Sequence, residues 1–426
     1  MSQSKMLAEF ITRYKEYRQN RIPLISSENI SSKLIRASYG LGLSDQYCSR
    51  SPNHTHVIDN LAFGHLGPLD DINKSAINLI NELFGSADCN IKPLSGLNGI
   101  TVILFSLLEN DDVLYRIADI NGGHLSTKPI AQRLNLEVVD MHFGEDYRFD
   151  LDDFYQKYKT SKKNSKMIFL DSSYILFPYP LEEIRNIVGD DTTIVYDASH
   201  VIALTLGGLF QNPFVEGADI IHTSTHKSLW GPQKSVIAFK RIDDLNQKIH
   251  DTADYIVSNT HLHHIFALYI SLLEFKHCGK KYASQLQKNA LTLAESLYQY
   301  GLEVVASDQG FTESNQVWLD FGTKEKAVHY FRILEQLNIS ANLIFLPNNR
   351  WGWRLGLNEL TRLGARRYEI NTLARIISDM VYNRKELRIL QAENEDLRKG
   401  LSDIAYSLDS VEGYKDLLEL MCWEEC

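Results

Sequence analysis

Four short runs, residues 167–170, 193–196, 220–223 and 235–239, are almost wholly apolar and bounded by polar residues. A strand that is apolar on both alternating faces must be covered on both, as strands inside a largely parallel sheet are. The stretches between these runs have the length of helices, so an α/β layered domain is expected. Residues 72–84 place Ile77, Ile80 and Phe84 at steps of three and four, which predicts a helix, and residues 100–108 predict another. After Phe266 the pattern turns mostly helical, with later strands expected at 316–321 and 353–356. A chain of 426 residues exceeds one compact core. The expected organisation is an N-terminal arm over 1–30, a large domain over 31–265, a smaller C-terminal α+β domain over 266–383 and a helical extension over 384–426.

Charge and composition narrow the function. A formal net charge of −10 is the wrong sign for a nucleic-acid surface. No uninterrupted apolar stretch reaches the roughly 18 residues that span a bilayer. The first ten residues carry neither the apolar run nor the cleavage site of a secretory signal. Five scattered cysteines, Cys48, Cys89, Cys278, Cys422 and Cys426, fit reduced thiols in a cytoplasmic protein better than a disulfide framework. Cys422 and Cys426 have no further metal ligands beside them, and no metal site is expected.

The chemistry lies in two strand ends. Asp197-Ala198-Ser199-His200 closes one apolar run, and Thr225-His226-Lys227 follows the next. A carboxylate that holds a pyridinium proton and a lysine amine that forms a Schiff base are the pair that pyridoxal phosphate requires. Taken singly, Lys227 reads as a solvated lysine and Asp197 as a helix cap. Ser95-Gly96 stands between a strand and a helix, where backbone N–H groups and a hydroxyl can receive a phosphate. His124, in Asn121-Gly122-Gly123-His124-Leu125, can lie over an aromatic ring, although a lone histidine is more often structural.

These blocks carry a resemblance. Residues 20–383 resemble serine hydroxymethyltransferase, a fold-type-I pyridoxal-phosphate enzyme of the aspartate aminotransferase-like kind. The matching motifs are Leu24-Ile25-Ser26-Ser27-Glu28-Asn29, Lys92-Pro93-Leu94-Ser95-Gly96, Gly122-Gly123-His124-Leu125, Asp197-Ala198-Ser199-His200, Thr225-His226-Lys227 with Gly231-Pro232, and Arg354-Leu355-Gly356 with Thr361-Arg362. The resemblance implies pyridoxal 5'-phosphate as cofactor. Lys227 would be its Schiff-base lysine, Asp197 the partner of its ring nitrogen and His124 the residue stacked on the ring. His200 and Ser172 would neighbour its phenolic oxygen. Ser95 and Gly96 would bind the phosphate, and Ser224, Thr225 and His226 would flank the lysine. Arg354 and Ser27 would grip the amino-acid carboxylate, and Tyr47 would reach the neighbouring subunit's site in a homodimer with composite active sites.

Departures from the family pattern cluster in one half of the site. Ser49 stands where the family has a proton-handling glutamate, and Arg50-Ser51-Pro52-Asn53-His54-Thr55-His56 replaces a Gly- and Tyr-rich loop. Trp230 replaces an arginine, Leu97 a phosphate-site serine and Asn259-Thr260 a Gly-Gly pair, and the loop 346–350 is short. The amino-acid half is kept while the folate half is rewritten, so tetrahydrofolate is not implied. What is implied is aldol cleavage or formation of a β-hydroxy amino acid through a glycine quinonoid, by a hydroxymethyltransferase, aldolase or transaldolase. His54, His56 and His65 are candidate replacements for the glutamate, or plain loop histidines. The alternatives are another reaction of this cofactor, such as transamination or decarboxylation, or a non-catalytic relative. Beyond the match, Leu387, Leu390, Asn394, Leu397, Leu401, Ile404 and Leu408 step by three and four. They fit equally a short coiled coil, which would serve oligomerisation or a partner, and an amphipathic helix packed on its own domain.

Overall fold

The computed structural model describes residues 3–48, 67–161, 165–347 and 349–421. Its largest sheet has seven strands. Their order across the sheet runs from Asp88–Asn90 through Ser235–Phe239, Ile220–Ser224 and Thr193–Asp197 to Ser165–Leu170, Val113–Ile117 and Glu137–Met141. The last five in that order from Ile220–Ser224 onward are parallel to one another. The α/β expectation therefore holds, and the four apolar runs are strands of this sheet. Ser235–Phe239 differs in direction, lying antiparallel to Ile220–Ser224. The reason is local: residues 225–234 hold a tight loop and no crossover helix, so the chain can only return alongside.

Strands Val113–Ile117 and Glu137–Met141 add to those predicted. Arg116 within the first is fully buried and lies 2.7 Å from Asp119 and 3.5 Å from Asp140, so its charge is answered inside the sheet layer. The core on one face joins Ile103 and Leu104 from the helix Gly96–Leu107 to Leu114, Met167, Val195 and Ile237 from the strands. After Val113–Ile117 the chain moves to the sheet edge, while Ser165–Leu170 continues the other way. The connections at the carboxyl ends of these two strands thus diverge, which opens a crevice.

The chain forms two compact units: Asn29–Ser284 with Ser407–Cys426, which contains the seven-stranded sheet, and Met1–Glu28 with Gln285–Tyr406. The second unit has an antiparallel sheet in the order Asn342–Phe345, Trp351–Gly356, Gln316–Gly322. In it Ile22–Pro23 pairs in parallel with Ile339–Ser340. A Cβ on Gly356 would stand 2.2 Å from Ser26 Cα, so the glycine lets the segment around Ser26 lie against the strand that carries Arg354. No helix among the described residues is long and apolar enough to cross a membrane.

The part of the C-terminal seam within the helix Leu387–Lys399 packs on its own unit. The helix Leu387–Lys399 buries Leu390, Asn394 and Leu397. Asn394 Nδ2 donates to the Leu337 carbonyl at 2.6 Å, and Arg398 Nε donates to the Arg21 carbonyl at 2.9 Å. Further on, the helix Tyr414–Met421 packs on Lys33–Ser38 in the sheet-bearing unit. Asn394→Ala would leave the buried Leu337 carbonyl without its donor, at a cost of about 1–3 kcal/mol. The expected result is a lower urea midpoint than wild type, and an unchanged midpoint would show that this hydrogen bond is not what seats the helix.

Candidate active site

Asp197 ends the strand Thr193–Asp197, and Lys227 follows the parallel neighbour Ile220–Ser224 by one turn. Both therefore stand at the carboxyl end of the sheet. Asp197 is held at both oxygens: Oδ1 accepts the Ser199 backbone N–H at 2.8 Å, and Oδ2 lies 3.3 Å from His222 Nδ1. Burial alone would raise its carboxyl. The charges and hydrogen bonds of His222, Lys227 and Ser199 outweigh burial and hold the group well below the usual carboxylate range. It is an ionised carboxylate in a buried place.

Lys227 Nζ lies 3.2 Å from Nε2 of the buried His200. The turn beyond it is closed by Thr225, whose hydroxyl donates to the Pro232 carbonyl at 2.6 Å and whose own carbonyl accepts from Gly231 N. Trp230 completes the turn at φ 57, fully buried against Tyr282 and Phe275. His226 is pushed down to about 4, by burial first and by the Lys227 charge second, so its imidazole is neutral at neutral pH. Burial likewise lowers His124, with Lys227, His222 and Arg116 adding to that and Asp197 opposing it.

His124 sits on the loop after Val113–Ile117. Its backbone N–H donates to Asp171 Oδ2 at 3.2 Å, while Ile117 N donates to Oδ1 at 3.1 Å. Burial raises the Asp171 carboxyl to about 6 against the pull of Arg116. Ser172 is buried with its hydroxyl 2.7 Å from the Asn121 carbonyl and 2.9 Å from that of Tyr174, so it ties the two strand-end loops together.

Ser95 caps the helix Gly96–Leu107, its Oγ accepting Asn98 N at 3.2 Å. A Cβ on Gly96 would lie 3.1 Å from Ser224 Cβ, so only a glycine sits here without displacement. Ser224 N donates to Ser199 Oγ at 2.8 Å, whereas buried Ser224 Oγ has no hydrogen-bond partner among the described residues. Lys234 had no role in the sequence reading, yet it is fully buried and donates to the carbonyls of Lys92 (2.8 Å) and Thr260 (3.2 Å). Burial, and then Lys92, push its ammonium down to about 7. It pins the turn leading into Ser95-Gly96 to residue 260.

The structure thus brings Lys227, Asp197, His200, His124, Ser172, Ser95, Gly96, Ser224, Thr225 and His226 into the sheet-bearing unit. Ser27 and Arg354 belong to the other. Arg354 is buried, with Nη2 3.2 Å from Asn342 Oδ1, and Ser27 is half-buried. Tyr47 is exposed on a segment whose next residue, Cys48, exchanges hydrogen bonds with Asn259 and Thr260. Ser49, His54, His56 and His65 lie outside the described residues. Besides Lys234, sequence reasoning missed His222 and Asp171. The available signal was a histidine inside an apolar strand and an aspartate closing another.

A donor set of one amine, one ionised buried carboxylate, a capped helix start and a buried hydroxyl with nothing to bond fits a phosphorylated pyridine aldehyde. The comparisons agree. The serine hydroxymethyltransferase family model matches residues 1–377. The chain belongs to that family. Curated serine hydroxymethyltransferases from Methanopyrus kandleri and Archaeoglobus fulgidus are each 32% identical to it, over 97% and 95% of this chain and 97% and 93% of theirs. A crystal structure of L-threonine transaldolase from Pseudomonas fluorescens, in its internal aldimine state, superimposes with a TM-score of 0.92 at 27% identity. It covers 98% of this chain and 96% of that one. The chain is accordingly a fold-type-I enzyme with pyridoxal phosphate as cofactor, acting on amino acids by aldol-type chemistry.

Two outcomes test the site. Lys227→Ala should abolish the absorbance near roughly 420 nm that this cofactor shows when condensed with a lysine; a persisting band would remove Lys227 from the role. His226 has an ordinary value of 6.5 when unfolded and about 4 when folded, so as pH falls through that window the unfolded chain takes the proton first and stability drops. In the cofactor-free protein, His226→Gln should flatten the fall of Tm between pH 6.5 and 4, and an unaltered slope would contradict the burial argument.

Proposed function

We propose that this enzyme splits a β-hydroxy amino acid between Cα and Cβ and passes the glycine unit to an aldehyde, without tetrahydrofolate. The observation that carries the reading is the ionised, buried Asp197 standing at the same sheet end as the Lys227 amine. When bound there, pyridoxal phosphate supplies the electron sink that receives the pair released from the Cα–Cβ bond. Asp197 would hold the ring nitrogen protonated, and the Lys227 amine would hold the aldehyde carbon. His200 Nε2, 3.2 Å from Lys227 Nζ, takes a proton from that amine or returns it. Ser95, Gly96 and Ser224 would bind the phosphate, flanked by Thr225 and His226, while His124 would cover the ring and Ser172 would neighbour its oxygen. Arg354 and Ser27 take the substrate carboxylate, for which a rigid two-pronged cation is suited.

The acceptor follows from what the chain lacks. Ser49 cannot act as the carboxylic acid that folate-dependent transfer uses, and the Pseudomonas fluorescens neighbour of similar length is named a threonine transaldolase. Hydroxymethyl transfer to tetrahydrofolate is the second reading, favoured by the names of the curated relatives. The assembly is a homodimer in which Tyr47 serves the partner's site. In support, the helix Gln3–Asn20 buries none of its residues and exposes Met6, Leu7, Phe10, Tyr14 and Tyr17 along one face. Buried thiols at Cys48, Cys89 and Cys278 suit the reducing cytoplasm.

Purified protein given threonine and an aromatic aldehyde, with no folate, should release acetaldehyde and form a new aryl β-hydroxy amino acid. Turnover of serine that appears only with tetrahydrofolate, and no product with the aldehyde, would replace this reading with the second.

A further inference from the structure

His222 lies in the middle of an apolar run, Ile220-Ile221-His222-Thr223-Ser224, and is fully buried. It pairs in register with Asp197 on the parallel neighbouring strand, so the two side chains leave the sheet on the same side. Its Nδ1 is 3.3 Å from Asp197 Oδ2, and its backbone carbonyl accepts the Ala198 N–H at 2.8 Å. Room for the ring is made by the helix above it. A Cβ on Gly99 would stand 2.6 Å from His222 Nε2 and 2.4 Å from Ser235 Oγ. Phe169 closes the ring's other side edge-on, with centroids 6.3 Å apart. A fully buried imidazole loses its water, and a carboxylate is the partner that repays this.

Resting on the assignment of Lys227 and Asp197 to pyridoxal phosphate, we propose that His222 is a positioning residue for Asp197. It donates Nδ1–H to Oδ2, fixes the carboxylate's orientation and thereby sets how firmly the protein holds the cofactor's ring nitrogen. The charged and titratable neighbours are consistent with a donor there: Asp197 itself, with His124 and Lys227 close enough for their charges to be felt. With the Ser199 N–H on Oδ1, the carboxylate is gripped from two directions, and the His222 contact is the one made by a side chain. Gly99 supports the arrangement by leaving the space that Nε2 occupies.

The test compares three variants. His222→Asn keeps an amide N–H near the position of Nδ1; His222→Gln moves it out to the position of Nε2; His222→Leu removes it. The readouts are the Kd of the cofactor-free protein for pyridoxal phosphate and the pH at which bound cofactor is released on acidification. Losing one hydrogen bond to a charged group corresponds to roughly tenfold or more in Kd. That loss is expected for Leu and Gln, with acid release beginning at a higher pH because the Asp197 carboxyl is no longer held down. Asn should stay within a few-fold of wild type. Equal Kd values for Asn, Gln and Leu would reduce His222 to a space-filler and overturn the proposal. Lys227→Ala separates the two levels: if it retains the cofactor band, the underlying assignment fails whatever the His222 series shows.

Discussion

A negative charge kept inside a protein is what the rest of this structure is arranged to tolerate. Asp197 is buried, and an isolated carboxylate there would take up a proton. It stays ionised because a lysine, an imidazole and a backbone N–H converge on it from two strands and the turn between them. The imidazole of one strand and the backbone N–H just past the next reach the same carboxylate because parallel strands end there side by side. The sheet is thus not a neutral scaffold: its parallel register, Asp197 opposite His222, is the geometric condition for the charge.

The surrounding loops are set by a second buried carboxylate with a different task. Asp171 accepts the backbone N–H groups of Ile117 and His124. Arg116 lies 3.9 Å from it inside the sheet layer. One acid stands at the sheet end beside Lys227 and the other shapes the loop that carries His124, and their partners answer burial differently. Asp197, with strong partners, is driven down, whereas Asp171, with a longer and shared cation contact, is raised to about 6. Lys234 does similar work for the turn that leads into Ser95-Gly96, fastening Lys92 and Thr260 through their carbonyls.

Much of this was legible in the residues. The four apolar runs marked strands because full burial on both faces leaves an unmistakable composition, and Lys227 and Asp197 stood out because the cofactor's chemistry demands those two groups. Strands 113–117 and 137–141 were hidden by Arg116 and Asp140, whose charges answer each other only once the strands are adjacent. The reversed direction of Ser235–Phe239 leaves no mark in its composition, because a strand buried on both faces is equally apolar in either direction. His222 escaped notice since a histidine in a strand has no periodic signature, and its meaning arises from a cross-strand neighbour far away in sequence. The seam from Leu387 onward was open between two packings, and the Leu337 carbonyl decides it by occupying Asn394.

One topological detail governs how such a chain can be made. The first strand, Ile22–Pro23, finds its partner at Ile339–Ser340, and the Arg21 carbonyl finds its donor at Arg398. A ribosome delivers the amino end first, so this segment leaves the exit tunnel long before anything exists for it to bind. Throughout most of synthesis the helix Gln3–Asn20 and its row of aromatic side chains must wait in water or with a chaperone. The seven strands between Asp88 and Phe239 can pair meanwhile from residues already delivered, but the amino terminus is fastened only when nearly the whole chain has emerged.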